Sequence, residues 1–258
     1  MFTIPVADDN PTEHPAFVTW AIMALCLLAF LWQQSLPADA AQSLALSLGM
    51  VPAVLSGQAE LAPELVVLPP WATLLTSMFL HGGWLHLAGN MLFLWIFGDN
   101  VEDAMGHGRF LAFYLAAGIA AALAQATAAP AAEVPMIGAS GAIAGVLAGY
   151  LLLYPKANVR VLVVILLFIR LVNVPAMLVL GLWFLAQIGG AAMSSPEAGG
   201  VAFWAHVGGF LCGGALLPLF KHRDMRLFSA PQSQAFAVSP ARLARRGRVP
   251  TVIPKDGM

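Results

Sequence analysis

No lysine or arginine precedes Arg109, none separates Arg109 from Lys156, and none separates Arg170 from Lys221. Charge of either sign is scarce: 10% of the 258 residues are charged against 60% hydrophobic, and the mean hydropathy is +0.81. A soluble fold of this composition would expose far too much apolar surface, so the scarcity excludes one and implies an integral membrane protein. Only two cysteines occur, Cys26 and Cys212, both inside apolar runs, which argues against a structural disulfide and leaves packing as their role. The start of the chain lacks the pattern of a cleavable signal peptide. Its first apolar run follows the acidic Asp8, Asp9 and Glu13 and ends in Trp32-Gln33-Gln34, without a small-residue cleavage site, so it is expected to persist as a span.

What the chain does contain is a series of long apolar segments. They predict six membrane helices, at about Ala16–Trp32, Trp84–Val101, Arg109–Ala126, Ser140–Tyr154, Val174–Gly189 and Val201–Phe220, and hence an all-α membrane bundle. The stretch Val159 to Leu171 is also apolar, but Arg160 and Arg170 flank it and Asn173-Val174-Pro175 breaks any helix after it; it reads as interfacial or re-entrant. Six spans put both tails, the Gly98–Gly108 loop and the Lys156–Asn173 segment on one side, together with every lysine and arginine. By the positive-inside rule that side is cytoplasmic. The opposite side receives the Gln33–Gly83, Thr127–Ile137 and Gly190–Gly200 loops, with Asp39, Glu60, Glu64, Glu133 and Glu197. The expected organisation is an N-terminal cytoplasmic tail over 1–15, a six-helix core over 16–220, and a basic tail over 221–258. In that last tail Pro231, Pro240, Pro250 and Pro254 and the Arg242–Arg248 cluster suggest a disordered segment that touches anionic lipid.

Polar residues inside the spans share one depth. Tyr154 closes the fourth span fourteen residues after Ser140, and Phe220 closes the sixth fourteen residues after His206. Each interval is roughly 21 Å of helix, which in a hydrocarbon core of about 30 Å leaves both residues about 10 Å below the outer surface. His86 and Asn90 lie near the outer end of the second span, on one face because they are four apart. Singly, a serine in a membrane helix is an ordinary packing residue and a histidine is often structural. Together around a wet cavity, the four satisfy one another where unpaired polar groups would each cost several kcal/mol, as is typical in hydrocarbon.

Residue type then suggests chemistry. Ser140 becomes a nucleophile only when a base takes its proton, and His206 is the intramembrane group suited to that near neutral pH. No Asp or Glu lies in the outer halves of the spans to orient the imidazole, so a Ser–His dyad is expected rather than a triad. The Ser140 backbone N–H, the Asn90 amide and His86 are candidate donors to an oxyanion. Small residues, Gly141, Gly145 and Gly149 in the fourth span and Ala205, Gly209 and Gly213 in the sixth, would let those two backbones approach closely.

The sequence from roughly Trp71 to Leu217 resembles the rhomboid intramembrane serine proteases. The motifs that carry the resemblance are His81-Gly82-Gly83-Trp84-Leu85-His86-Leu87-Ala88-Gly89-Asn90, Gly138-Ala139-Ser140-Gly141 and Ala205-His206-Val207-Gly208-Gly209. The resemblance implies a six-helix core with Ser140 as nucleophile, His206 as general base, and His86 and Asn90 as oxyanion stabilisers. It also implies a structural role for Glu102. The substrate would be a transmembrane helix of a single-span protein, cut near the outer membrane face. The compact core, without an organelle-targeting segment, favours a prokaryotic plasma membrane. Neither cofactor nor metal enters this reading, and the partners expected are the substrate helix and the lipid bilayer, not nucleic acid.

Two features depart from the family pattern. Many members carry, four residues after the nucleophile, an aromatic that stacks on the histidine; here that residue is Ala144. A Trp-Arg pair is common in the first outer loop, but Trp71 is followed by Ala72. Other intramembrane proteases fit worse, since His-Glu-x-x-His is missing and Asp99 has no facing carboxylate. A transporter would need more polar residues along a whole path. The alternative from another class is a catalytically silent relative that binds transmembrane helices; such proteins typically lose the nucleophile or the base, and both are present here.

Overall fold

The computed structural model describes residues 2–165, 168–193 and 200–229. Nine α-helices and three strands follow one another along these residues. They are β1 (Phe2–Asp8), α1 (Phe17–Ser35), α2 (Ala38–Leu48), α3 (Pro52–Leu55), α4 (Thr73–Thr76), α5 (Trp84–Met105) and α6 (His107–Ala128). Then come α7 (Ser140–Leu153), β2 (Asn158–Ile165), β3 (Phe168–Pro175), α8 (Ala176–Met193) and α9 (Phe203–Phe220). Four of the helices, α1, α6, α8 and α9, are long and apolar enough to cross a membrane; α7 is apolar but has fourteen residues. The helix α5 runs through Gly98 to Met105, and the expected Gly98–Gly108 loop contracts to a turn at Gly106, whose φ of +77° suits glycine.

The all-α expectation is corrected by a three-stranded antiparallel sheet in the order β1-β2-β3. Its second and third strands are the Val159 to Leu171 stretch, which is a β-hairpin and not a re-entrant helix. The run is rich in β-branched residues, which suit a pleated surface, and β1 offers it a free edge, with Ile4 opposite Leu162 and Asp8 opposite Val159. Those N-terminal residues are thus built into the fold. The basic Arg242–Arg248 cluster and Glu197 lie outside the described residues, while Gly190, expected to begin an outer loop, falls within α8.

The short α7 is the axis of the molecule. Ten consecutive residues, Gly141–Tyr150, are buried, enclosed by α5, α6, α8 and α9. Around them pack Phe97, Phe110, Phe113, Tyr114 and Leu94. Against α9 the approach is backbone to backbone: a Cβ built on Gly209 would lie 2.0 Å from the Gly141 carbonyl oxygen, and one on Gly213 would lie 2.4 Å from the Gly145 Cα. Only glycine allows this contact.

Polar bonds gather at the end of the bundle opposite Ser140. The buried Glu102 carboxylate accepts the first amides of α1, Val18 N–H at 2.9 Å and Thr19 N–H at 2.7 Å, and bonds His107 Nδ1 at 2.6 Å. It thereby satisfies helix-terminal donors that α1 cannot pair internally. Asp8 accepts the Tyr150 hydroxyl at 2.6 Å and the Asn100 amide at 3.2 Å, and Asn10 bonds Asn100, so β1 is fastened to α5 and α7. Burial, reinforced by the nearby Asp99 and Asp9 carboxylates and opposed by the Tyr150 hydrogen bond, raises the Asp8 carboxyl to a pKa of about 7. His222 N–H donates to the Ala104 carbonyl at 2.8 Å, which draws the chain after α9 to the same end.

Candidate active site

Ser140 is the first residue of α7, and the chain enters it through a glycine that the geometry requires. Gly138 has φ +124°, and a Cβ there would stand 2.6 Å from His86 Nε2. Its N–H donates to the Ser77 carbonyl at 2.9 Å, which fixes the entry. As a first-turn residue, Ser140 has a backbone N–H without an intrahelical acceptor. His206 lies in the first turn of α9, buried, with its N–H on the Ala202 carbonyl at 3.2 Å. Because α7 and α9 touch through their glycines, the two side chains meet: Ser140 Oγ and His206 Nε2 are 2.8 Å apart.

On α5, His86 and Asn90 share the face turned to Gly138, with Asn90 Nδ2 3.5 Å from the position a Gly138 Cβ would take. The Gly82 N–H points at His86 Nδ1 at 3.3 Å. An N–H can only donate, so Nδ1 accepts and the proton of a neutral His86 is on Nε2, toward Gly138. Asn90 is buried and its Nδ2 has no partner among the described residues, which leaves an amide donor on the cavity that Ser140 also lines. His81 supports this wall. Its ring meets that of His86 edge-on with centroids 5.2 Å apart, and its Nδ1–H faces the Phe79 carbonyl at 3.2 Å. The Gln33 amide clamps its backbone, accepting the His81 N–H at 3.0 Å and donating to its carbonyl at 3.4 Å. Burial first, and then the neighbouring His86, lower the His81 pKa to about 4, so it stays neutral near pH 7.

The sequence-predicted residues Ser140, His206, His86 and Asn90 all line one cavity of about 620 Å³. The cavity also takes Trp183 and Phe203, and a mostly apolar wall with a few converging polar groups is the usual form of a binding site. Among the described residues, no group of His, Cys, Asp and Glu is arranged to hold a metal ion.

Sequence reasoning missed what stands behind His206. Gln187 Oε1 lies 2.7 Å from His206 Nδ1, and the Gln187 Nε2 donates to the Trp183 carbonyl at 3.2 Å. The Trp183 ring lies 5.8 Å from the imidazole, tilted by 38°. The expected aromatic support is thus absent at Ala144 and present on α8. A signal was available: Gln187 is the one hydrogen-bonding side chain other than the Trp183 indole in an otherwise apolar helix, where such a group needs a partner.

The chain matches a family model described as a Rhomboid domain over residues 69–223. It is 38% identical over 178 residues to the Rhomboid protease GluP of Bacillus subtilis, an alignment covering 68% of this chain and 32% of that protein. It is 34% identical over 148 residues to the mitochondrial Rhomboid protein 1 of Saccharomyces cerevisiae, covering 55% and 39% of the two chains. With the chloroplastic Rhomboid-like protein 11 of Arabidopsis thaliana it shares 39% identity over 80 residues, 31% of this chain and 28% of the other. The chain spans about a third of the length of these relatives.

Proposed function

This chain belongs to the rhomboid family, and from that membership we propose that it is an intramembrane serine endopeptidase that cleaves single-span membrane proteins near the outer membrane face. The observation that carries the reading is the 2.8 Å contact between Ser140 Oγ and His206 Nε2 on the wall of the cavity. Ser140 Oγ attacks the scissile carbonyl carbon while its proton passes to His206 Nε2. The oxygen that becomes negative is met by the Asn90 amide, by His86 Nε2–H and by the Ser140 backbone N–H. Collapse of the tetrahedral intermediate breaks the C–N bond, and the amine leaves with the proton held by His206. A water, deprotonated by the same imidazole, then attacks the acyl-serine ester and releases the acid product and free Ser140.

In this reading α1, α5, α6, α7, α8 and α9 are six spans, and the end bearing the sheet faces the cytoplasm of a prokaryotic plasma membrane. Pairing of β1 with β2 supports it, since it holds the N-terminal residues on the same side as the connection between α7 and α8, as the even number of spans between them, α1, α5, α6 and α7, requires. Every lysine and arginine among the described residues belongs to segments at that end. The shortness of α7, roughly 21 Å of helix, leaves Ser140 about 10 Å below the outer surface of a core about 30 Å thick.

Labelling of the purified protein with a fluorescent fluorophosphonate tests the proposal. The parent chain should label and cleave a reconstituted single-span substrate, and Ser140→Ala should do neither. A parent chain that binds transmembrane helices yet neither labels nor cleaves would favour the silent helix-binding alternative.

A further inference from the structure

We propose that Gln187 is the positioning residue for the base, and that it does by a neutral amide what a carboxylate does in a Ser-His-Asp triad. This rests on the reading of Ser140 and His206 as nucleophile and base. The hydrogen bonds form a chain in which each orientation forces the next. The Trp183 carbonyl can only accept, so the group facing it at 3.2 Å is the Gln187 NH₂, and the amide cannot turn over without losing that bond. The amide oxygen is therefore the atom turned to His206, 2.7 Å from Nδ1. An oxygen that can only accept requires a proton on Nδ1, and the neutral imidazole then has its lone pair on Nε2. That lone pair faces Ser140 Oγ at 2.8 Å, where a base must take a proton.

In the opposite tautomer Nε2 would carry the proton toward the serine and the base would be disabled. Gln187 is buried, so water does not compete freely for Nδ1. The bond strengthens when His206 becomes an imidazolium in the transition state, because a charged donor bonds the amide oxygen more tightly than a neutral one. A neutral amide suits a helix facing lipid, where an ionised carboxylate would be costly. Trp183, one turn earlier on α8, lies against the same ring, so α8 supplies both the acceptor and the aromatic contact for a base carried by α9.

The experiment compares Gln187→Leu and Gln187→Glu with the parent chain, reconstituted with a single-span substrate, alongside ¹⁵N-histidine NMR with His206→Gln used to identify the signal. Gln187→Leu keeps the shape and removes the acceptor, and should lower kcat roughly 10- to 100-fold, with KM within threefold. Gln187→Glu restores an acceptor oxygen and should bring kcat back to within about threefold of the parent. In the spectrum, the parent His206 should show a protonated Nδ1 and an unprotonated Nε2, and Gln187→Leu should lose that bias. Equal kcat for Gln187→Leu and the parent, a Gln187→Glu variant as slow as Gln187→Leu, or a tautomer that does not respond would each overturn the proposal. Failure of the serine-protease reading shows separately, as a parent chain without fluorophosphonate labelling at Ser140. The tautomer measurement needs no turnover and still decides the role of Gln187.

Discussion

Gly209→Ala should inactivate the protein by moving two helices apart rather than by touching a reacting atom. The added Cβ would stand 2.0 Å from the Gly141 carbonyl oxygen and 2.9 Å from its carbon, whereas ordinary contact begins at 3.4 Å. The obstacle is backbone on α7, so no side chain can swing away, and the helices must part by about 1.4 Å, the difference between 3.4 and 2.0 Å. Gly141 follows Ser140 and Gly209 lies one turn after His206, so the displacement falls on the Ser140–His206 contact. That contact, now 2.8 Å, would leave hydrogen-bond range, and a misplacement of about 1 Å costs on the order of 10²-fold in rate. Overpacking should also cost about 1–3 kcal/mol of stability. Gly213→Ala separates the two effects: its Cβ meets Gly145 Cα at 2.4 Å, one turn farther from Ser140. It should lower the Tm as much while slowing cleavage less. At Gly214 a Cβ meets only the side-chain ends of Leu152 and Ala148, at 3.7 and 3.9 Å, and alanine there should be silent. Cleavage of a reconstituted substrate, with the Tm of each variant in detergent, provides the assay. A folded Gly209→Ala protein with parental kcat would refute the claim that glycine contact sets the Ser–His distance.

Ser140→Ala and His206→Ala should each abolish cleavage while leaving the Tm near the parent value, and retained turnover in Ser140→Ala would remove the proposed mechanism. Asn90→Ala should lower kcat by up to about 10² to 10³ with little change in KM, because one of the several proposed donors to the oxyanion is lost. Asp8, with its pKa raised to about 7 by burial and by Asp99 and Asp9, should make attachment of β1 pH-dependent. The folded state holds that proton more tightly than the unfolded chain, so the stabilisation is fully present at low pH and is lost as pH rises through about 7. The difference in Tm between the parent and Asp8→Asn should therefore change between pH 5 and 8, and a constant difference would contradict the shift. Glu102→Ala leaves the buried amide of Thr19 and the half-buried amide of Val18 without their acceptor and should cost about 1–3 kcal/mol, read as a lower Tm.

The elements that a membrane protein must write into its sequence were the legible ones. A long span has to be apolar, so the courses of α1, α6, α8 and α9 follow hydropathy, and the small-residue rows of α7 and α9 announce their close approach. Polar residues in such helices are conspicuous, which is how His86, Asn90, Ser140 and His206 could be grouped before their geometry was known. The hairpin of β2 and β3 was not legible, because an apolar run bounded by Asn173-Val174-Pro175 fits a broken helix as well as two strands. What decides between them is β1, more than 150 residues away in the chain, and no local pattern contains that pairing.

Gln187 is the more instructive case, because the difficulty was chemical rather than geometric. Looking for what orients a catalytic histidine by seeking a carboxylate imports an assumption from proteins surrounded by water. A charge on α8 would have to be desolvated in hydrocarbon, whereas an amide presents the same acceptor oxygen at a far lower cost. The amide brings an ambiguity that a carboxylate lacks, since either end of it could face the imidazole. In this chain the Trp183 carbonyl, 3.2 Å from Nε2, removes the ambiguity, and it does so with the backbone of the same helix. The orientation of the His206 ring therefore depends on α8 keeping its place against α9. On the proposed mechanism, any displacement of α8 that admitted a substrate helix would have to be reversed before His206 could accept the proton of Ser140.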